Sequence, residues 1–340
     1  GLVRKLAICI VNWNTRDLLD RCLQSIHETT TGDLASGCAA SDCAVSGCGA
    51  GARTPPAVIR DNQSGGVQAC GCRHPRALQS DTDTALDVET IVVDNASADG
   101  SADMVRSKHP WARLIANDDN LFYAAANNQA LRATEAQYKL LLNPDIIVHP
   151  GSLQTLLRFM DDHPQAGAVA PRLLGLEGEV QHTCRSFPDP DVVIYEALGL
   201  SRLFPRSHTF GKYRMTWWDY GDTRTVDQPM ASALLVRNEA LQAVGLFDEQ
   251  FPMFFNDVDL CRRLWDGGWE VWFTPDAEMT HLGGAATRQV RRAMILASHE
   301  GFLRYYRKHY RGRTNPLAYH LAVALLRLGQ WVRLLRATKL

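Results

Sequence analysis

The stretch Leu140 to Val148, LLLNPDIIV, holds the first residue of this chain placed to do chemistry. Leu140, Leu141 and Leu142 read as a buried strand. Asn143-Pro144 stops it, because proline cannot continue a central strand. Asp145 then stands just beyond the strand's carboxyl end, followed by a second short apolar run, Ile146 to Val148. In open α/β sheets that edge is where ligands bind. A carboxylate held there can take a divalent cation, and the cation can hold a diphosphate. The plain alternative is a turn with a solvated Asp; the rest of the chain favours the ligand.

The elements around Asp145 alternate. Leu6 to Trp13 is an apolar run with β-branched residues and reads as a first strand. Leu18, Leu19, Cys22, Leu23 and Ile26 then recur at helical spacing, with Thr15 as N-cap. Ile91 to Val93 is a second strand closed by Asp94-Asn95, and Ser101 to Lys108 a short helix. Leu114 to Ala116, the helix Phe122 to Ala133 and the strand Leu140 to Leu142 complete this half. Such alternation argues a parallel sheet with right-handed crossovers. Later come a helix over 152–160, a strand over 166–170 ending at Pro171, a strand over 231–236 and a helix over 239–244. A helix over 258–267, a last strand over 269–273 and a helix over 291–311 follow. Leu173 to Asp227, with Tyr213, Trp217, Trp218 and Tyr220, reads as an irregular, mobile wall of the site.

One segment breaks the pattern. Thr31 to Val88 is rich in Gly, Ala, Ser, Asp and Thr, where compact domains use connections of roughly 2–6 residues. It carries Cys38, Cys43, Cys48, Cys70 and Cys72, with His74 nearby. Those spacings are not the paired C-x2-C of zinc modules, so a flexible surface insertion is favoured over a metal site. An insertion there costs little, since closure entropy grows slowly with loop length.

At 340 residues with 46% apolar and 21% charged, the chain can bury a sizeable core. A net charge of −1 gives no reason to expect nucleic acid or an anionic surface as partner. No run reaches the roughly 18 apolar residues of a membrane span. The opening GLVRKLAICIVNW is too short and strand-like for a signal peptide, and fits a cytosolic protein. Cys9, Cys22 and Cys261 fall in apolar or helical patterns and read as small core residues, and Cys184 falls in a loop. Leu321, Leu325, Leu328, Val332 and Leu335 form a stripe beside Arg327, Arg333, Arg336 and Lys339. This helix either lies in a membrane interface, as a peripheral contact, or packs on the domain or on a homodimer face.

Four clusters carry a resemblance: IVNWNTRDLLDRCLQSI; IVVDNASADGS; NDDNLFYAAANNQAL with LLLNPDI; and FPMFFNDVDLCRRLWDGGW with HLGG. In order and content the chain resembles a family-two inverting glycosyltransferase of the rhamnosyltransferase-like branch, from Leu6 to Gly284 apart from the insertion. The resemblance implies the GT-A fold: an α/β, Rossmann-like, mostly parallel mixed sheet flanked by helices. It implies a glycosyltransferase domain over 1–284, with the insertion at about 31–88, and a C-terminal helical extension over 285–340.

It also implies roles. Asp94 and Asn95 fall where the family binds nucleotide base and ribose, and a carboxylate there can accept from a base N–H or a ribose hydroxyl. Asn12 and Asn14 end the first strand on the same rim. The alternative for Asp94-Asn95 is an Asx turn. Asn120, Asn127 and Asn128 resemble the family's N-x-G-F-A-x-x-N-N, with Leu121, Phe122 and Tyr123 in place of the Gly-Phe stretch. Asn127 and Asn128 can equally be caps or core hydrogen bonders. Asp145 matches the last position of the family's D-x-D, and Asn143 stands at its first. His281 matches a late metal-ligand His, with a structural His as the even alternative. Mg²⁺ or Mn²⁺ is implied, and imidazole suits Mn²⁺ better. Asp257 matches the base that takes the acceptor's proton, since a sugar alcohol is a poor nucleophile at neutral pH. Asn256 stands where the family has Glu. Asp259 either caps the following helix or is a second functional carboxylate. Met230 to Ala233 matches a strand flanking the acceptor pocket, and Met253, Phe254 and Phe255 either pack or form a sugar platform.

The implied activity is transfer of a sugar, rhamnose from a dTDP donor first among the candidates, from a dTDP- or UDP-sugar. The acceptor is a hydroxyl of a glycan or lipid-linked molecule at the cytoplasmic membrane face. The metal would act on the departing diphosphate as Lewis acid and template. A non-catalytic nucleotide-sugar-binding module on the same fold is the alternative that Asn256 and the insertion suggest. A nucleotidyltransferase would need a Gly-rich phosphate loop after the first strand, which Asn12-Trp13-Asn14 is not.

Overall fold

The computed structural model describes residues 5–31, 86–283 and 291–337. Residues 32–85 of the expected insertion, with Cys38, Cys43, Cys48, Cys70, Cys72 and His74, lie outside the described residues, as do Gly284 and Lys339. The first half alternates as expected. It runs β1 (Leu6–Asn12), α1 (Arg16–Thr31), β2 (Val88–Asn95), α2 (Ser101–Lys108), β3 (Arg113–Asn117), α3 (Phe122–Arg132), β4 (Tyr138–Leu142), β5 (Ile146–Val148) and α4 (Ser152–Asp162). Next come β6 (Ala166–Leu174), β7 (Cys184–Arg185), α5 (Pro190–Ala197), α6 (Leu200–Leu203), β8 (Arg224–Thr225) and β9 (Gln228–Pro229). The chain closes with β10 (Ala233–Arg237), α7 (Asn238–Val244), α8 (Asn256–Asp266), β11 (Glu270–His281), α9 (Arg291–His309) and α10 (Pro316–Ala337).

Among the described residues, nine strands form one sheet in the order β3-β2-β1-β4-β10-β6-β11-β5, with β8 pairing β11 off this path. β1, β2, β3 and β4 pair in parallel, as do β6 and β11. β10 runs antiparallel between β4 and β6, and β5 runs antiparallel to β11. Alternate residues of the central strands feed two cores, since successive side chains point to opposite faces. Ile8, Ile10, Val92, Leu140 and Leu142 pack with Leu19 and Leu23 of α1 and Leu153 and Met160 of α4. Cys9, Ile91, Val93 and Leu141 pack with Leu131 of α3 and Leu264 of α8. Covering both faces is what makes these strands read as unbroken apolar runs.

Four expectations change. β6 does not end at Pro171 but passes through it to Leu174. The missing N–H does no harm, because the ladder to β11 is interrupted between Thr274 and Glu278, next to the Pro171 pairing. β11 likewise continues past Phe273 to His281. The stretch from Leu173 to Asp227 is a packed wall. Phe187, Met215, Trp218, Tyr220 and Val226 are buried in the core, and Trp218 stacks on Tyr220 at 4.1 Å. Cys184 lies in β7 rather than a loop and is buried, as are Cys9, Cys22 and Cys261.

α10 packs against α9 and α5, with Ala322 buried. It also leaves Leu321, Leu328, Trp331 and Leu335 exposed. Among the described residues, no helix is long and apolar enough to cross a membrane.

Asp259 is neither a helix cap nor on the cavity described below: it is fully buried. Arg263 Nε donates to its Oδ2 at 2.8 Å, while His309 Nε2 and Lys308 Nζ lie 2.7 Å from its Oδ1. Burial alone would raise this carboxyl. The bonds from His309 and Lys308 and the charge of Arg263 overturn that and hold it at about 2. The carboxylate thus bolts α8 to the end of α9. Asp259→Asn should cost about 3 kcal/mol in urea unfolding, because it leaves buried cations uncompensated. A depressed pKa stabilises the fold at every pH above the ordinary carboxylate value near 3.9. In the native chain that contribution should fade as pH falls towards about 2; the variant should lack the fade.

Candidate active site

The parallel strands β1 and β2 end side by side, and their register sets Asn12 against Asp94. Asn12 Nδ2 donates to Asp94 Oδ1 at 2.9 Å and to Ser97 Oγ at 3.2 Å. The Ser97 N–H donates to Asp94 Oδ2 at 3.0 Å, an Asx turn, and the Asn14 N–H donates to Ser97 Oγ at 2.9 Å. Asn14 Oδ1 accepts from the Ala98 N–H at 2.8 Å. Thr15 precedes α1, but its hydroxyl donates to Asn12 Oδ1 at 2.6 Å, and the Arg16 N–H donates to Asp99 Oδ2 at 2.9 Å. These groups stitch the two strand-end loops into one seam. Asn14 and Ala96 hold positive φ angles of 50° and 60° there.

Asn95 works beside the seam. Its Oδ1 accepts from the Leu121 N–H at 3.2 Å and its Nδ2 donates to the Phe122 carbonyl at 3.1 Å. Asn120 Oδ1 accepts from the Phe122 N–H at 2.8 Å. Phe122 is 50% exposed and sits at φ 61°, at the position where the family pattern has Gly. Asn128 is a core hydrogen bonder, paired with the backbone of Phe247 in both directions at 2.9 and 3.0 Å. Asn127 Nδ2 donates to the Tyr123 carbonyl one helical turn back.

The turn after β4 is fixed from β10: the Asn143 N–H donates to the Ser232 carbonyl at 2.8 Å. β5 then pairs with β11, Ile146 against His281, and the Leu282 N–H donates to the Asp145 carbonyl at 2.9 Å. This brings His281 Nε2 to 3.3 Å from Asp145 Oδ2. Gln181 sets the imidazole. Its Nε2 donates to the His281 carbonyl at 3.0 Å, so its Oε1 faces His281 Nδ1 at 2.7 Å. Nδ1 therefore carries a hydrogen, and Nε2 is the ring nitrogen turned towards Asp145. Asp145 Oδ1 is buried without a hydrogen-bond partner. A carboxylate oxygen and a ring nitrogen left open side by side fit a divalent cation. Among the described residues no three acid, imidazole or thiol groups converge, so an ion here would draw its other ligands from substrate oxygens and water.

Asp257 lies in the first turn of α8. Phe255 precedes the helix at φ 67°, stacked on Phe302 of α9 at 4.7 Å. Gly301 of α9 faces the Phe254 carbonyl, where a Cβ would come within 3.1 Å, so glycine permits that approach. Asp257 Oδ1 accepts from the Val258 N–H at 2.9 Å, while Oδ2 has only a long contact of 3.4 Å from the Ala231 N–H. Burial pushes this carboxyl above the ordinary carboxylate value, against the backbone hydrogen bonds that oppose it. Asn256 is buried; its Oδ1 accepts from the Asp257 N–H at 2.7 Å and its Nδ2 donates to the Phe251 carbonyl at 3.3 Å. The amide that replaces the family's Glu thus fastens the backbone around Asp257.

A cavity of about 510 Å³ gathers most of these groups. Asn95, Asn120, Asn143, Asp145, Asp257 and His281 line it together. Asn12, Asn14 and Asp94 do not line it; they form the seam behind, with Asp94 only 3% exposed. Met230, Ala231, Ser232 and the Met253–Phe255 stretch also line the cavity. Sequence reasoning missed two contributors. Tyr123 lines the wall and donates from its hydroxyl to the Ala231 carbonyl at 3.1 Å, and burial together with the Asp257 charge keeps it protonated. Gln181 lies in the irregular wall, and only its place in space, not its surroundings in sequence, marks it.

Residues 75–216 match the profile of the family described as Glycosyl transferase family 2. An N-acetylglucosaminyl-diphospho-decaprenol L-rhamnosyltransferase of Mycobacterium tuberculosis is 30% identical over 228 residues, covering 64% of this chain and 74% of that protein. The rhamnosyltransferase WbbL of Escherichia coli is 28% identical over 167 residues, covering 48% of this chain and 59% of that one. A mannosyltransferase, PcManGT, from Pyrobaculum calidifontis, solved in complex with GDP-Man and Mn²⁺, has a TM-score of 0.51 at 16% identity, covering 100% of this chain and 74% of that one. That last likeness is one of fold. The chain belongs to glycosyl transferase family 2 and is a glycosyltransferase with a GT-A-like mixed sheet flanked by helices.

Proposed function

We propose that the chain transfers a sugar, with inversion, from a dTDP- or UDP-sugar to a hydroxyl of a lipid-linked saccharide, rhamnose being the first candidate sugar. The observation that carries the reading is that Asp145 and Asp257, from distant parts of the chain, line one cavity. The name of the rhamnosyltransferase relative supports rhamnose as the sugar, and its diphospho-decaprenol supports the acceptor class.

In this reading the nucleotide lies along Asn95 and Asn120, over the seam kept rigid by Asn12, Asn14 and Asp94. Asp145 and His281 would hold Mn²⁺ or Mg²⁺, which when bound offsets the charge growing on the departing diphosphate. Asp257 receives the acceptor's hydroxyl proton at Oδ2 as the oxygen bonds to the anomeric carbon and the bond to the diphosphate breaks. Its raised pKa makes it a stronger base than a solvated Asp. Nothing favours a non-catalytic module: Asn256 supports Asp257 rather than replacing it. The 1–284 transferase domain and the 285–340 helical extension remain the proposed division, with the exposed stripe of α10 as the peripheral membrane contact.

Turnover decides, assayed on dTDP- and UDP-sugars with Mn²⁺ and a lipid-linked acceptor; no transfer from any donor rejects the reading. Asp257→Asn should lower kcat by roughly 10²–10⁴-fold with donor affinity retained, measured by initial rates and donor titration. Because the base must be ionised, kcat/KM should fall on the acid side, at a midpoint above the ordinary Asp value near 3.9. A limb at the ordinary value removes Asp257 from the role. Gln181→Leu should weaken Mn²⁺ binding in the presence of UDP by roughly 10–100-fold. Gln181→Glu, which still accepts from Nδ1, should keep most of it, and calorimetric titration separates the two.

A further inference from the structure

Beside the catalytic cavity lies a second, of about 500 Å³, walled by β7, α5, α6, α9 and α10. Phe255 lines both. The second cavity has two chemical characters. Arg185, Arg202, Arg214 and Arg333 line it, against a single carboxylate, Glu196, whose Oε2 is 3.7 Å from Arg214 Nε. Among the described residues no carboxylate pairs with Arg185, Arg202 or Arg333. Arg185 is half-buried, and its Nη1 is anchored on the carbonyls of His182 and Cys184 at 2.7 Å each. Val192, Val193, Phe302, Leu325 and Leu326 give it an apolar part, and Tyr213, Ser298 and His299 line it as well.

Four guanidinium groups facing one cavity with one carboxylate leave a surplus of positive charge, and a phosphate-bearing ligand offsets it while matching their fork geometry. The apolar lining calls for hydrocarbon on the same ligand. Tyr213 also lines this cavity, and burial raises its hydroxyl against the charges of Arg185 and Arg214. Phe255, which lines both cavities, sets the arginine cluster next to the cavity of Asp257. α10, whose Leu325 and Leu326 line the cavity, also turns Leu321 and Leu328 to solvent, an apolar path for a longer chain.

We propose that this second cavity seats the diphosphate and the first isoprene units of the acceptor. Arg185, Arg214 and Arg333 hold phosphate oxygens, and the acceptor's sugar reaches past Phe255 to Asp257. The inference rests on the lipid-linked acceptor class above and adds the site that reads it. The donor's diphosphate belongs to the Asp145 side, so the two diphosphates occupy different cavities.

The test is equilibrium binding of farnesyl diphosphate in EDTA, where no cation is available to hold a diphosphate at Asp145. Native protein should bind it at least ten-fold more tightly than farnesol or inorganic pyrophosphate, since each carries half of the recognised chemistry. Arg185→Gln with Arg333→Gln should weaken binding at least ten-fold, and Asp145→Ala should leave it unchanged. Absent binding, equal binding of pyrophosphate alone or of farnesol alone, or loss in Asp145→Ala rather than in the arginine variant overturns the proposal. The comparison of the three ligands needs only native protein, so it stands even if the variant misfolds. Nucleotide-sugar turnover is scored separately. Turnover without farnesyl diphosphate binding sinks this site alone. Binding through the arginines without turnover sinks the transferase reading and leaves the site.

Discussion

The antiparallel pairing of β5 with β11 is the contact on which the site depends. β5 has three residues, 146–148, and lies at the sheet's edge, so little of its own holds it there. It is kept by the ladder to Met279, Thr280 and His281, and by Ser25 of α1, whose hydroxyl oxygen accepts from the Val148 N–H at 3.0 Å. A slip of one residue would turn every β11 side chain to the opposite face and carry His281 away from Asp145. Because the strand is short and the register specific, the carboxylate and the imidazole meet at one spacing.

The opposite wall of the cavity is set from the C-terminal helices. Tyr305 and Tyr306 of α9 are buried in the same core as Leu141 and Leu264. Asp259 ties α8 to the end of α9, Phe302 stacks on Phe255, and Gly301 lets the backbone of Phe254 come close. Asp257 therefore stands on a helix start braced from behind by a distant part of the chain. Asp257 itself is only partly buried, since it lines the cavity while the residues on either side of it, Asn256 and Val258, are buried.

What the sequence made legible follows from range. The apolar runs of β1, β2 and β4 announce themselves because both faces of those strands are covered, and Asp145 is visible as the acid that follows such a run at Asn143-Pro144. The helix α2 falls where its pattern puts it, from Ser101 to Lys108. Long-range partners left no local trace. Nothing around Thr274 and Pro275 says that β11 resumes beyond them, because the irregularity is tolerated by β6 rather than signalled in β11. Asp259 read as a cap or as a second functional carboxylate because caps, site acids and buried ion pairs share the first turn of a helix, and its partners Lys308 and His309 come far later. The partner of Asp94 across the seam was hidden in the same way: its carboxylate accepts from Asn12 of the neighbouring strand as well as from the nearby Ser97.

Phe122 shows how such a cradle can vary. A left-handed backbone costs an L residue about 1–2 kcal/mol, and Asn95 clamps both sides of this one, so the loop imposes its shape whatever residue occupies the spot. Where glycine would leave bare backbone, this chain sets an aromatic face at the rim of the cavity. Backbone shape and side-chain identity are thereby uncoupled at one residue: the amide supplies the mould, and the side chain can be exchanged without recasting the loop beneath it.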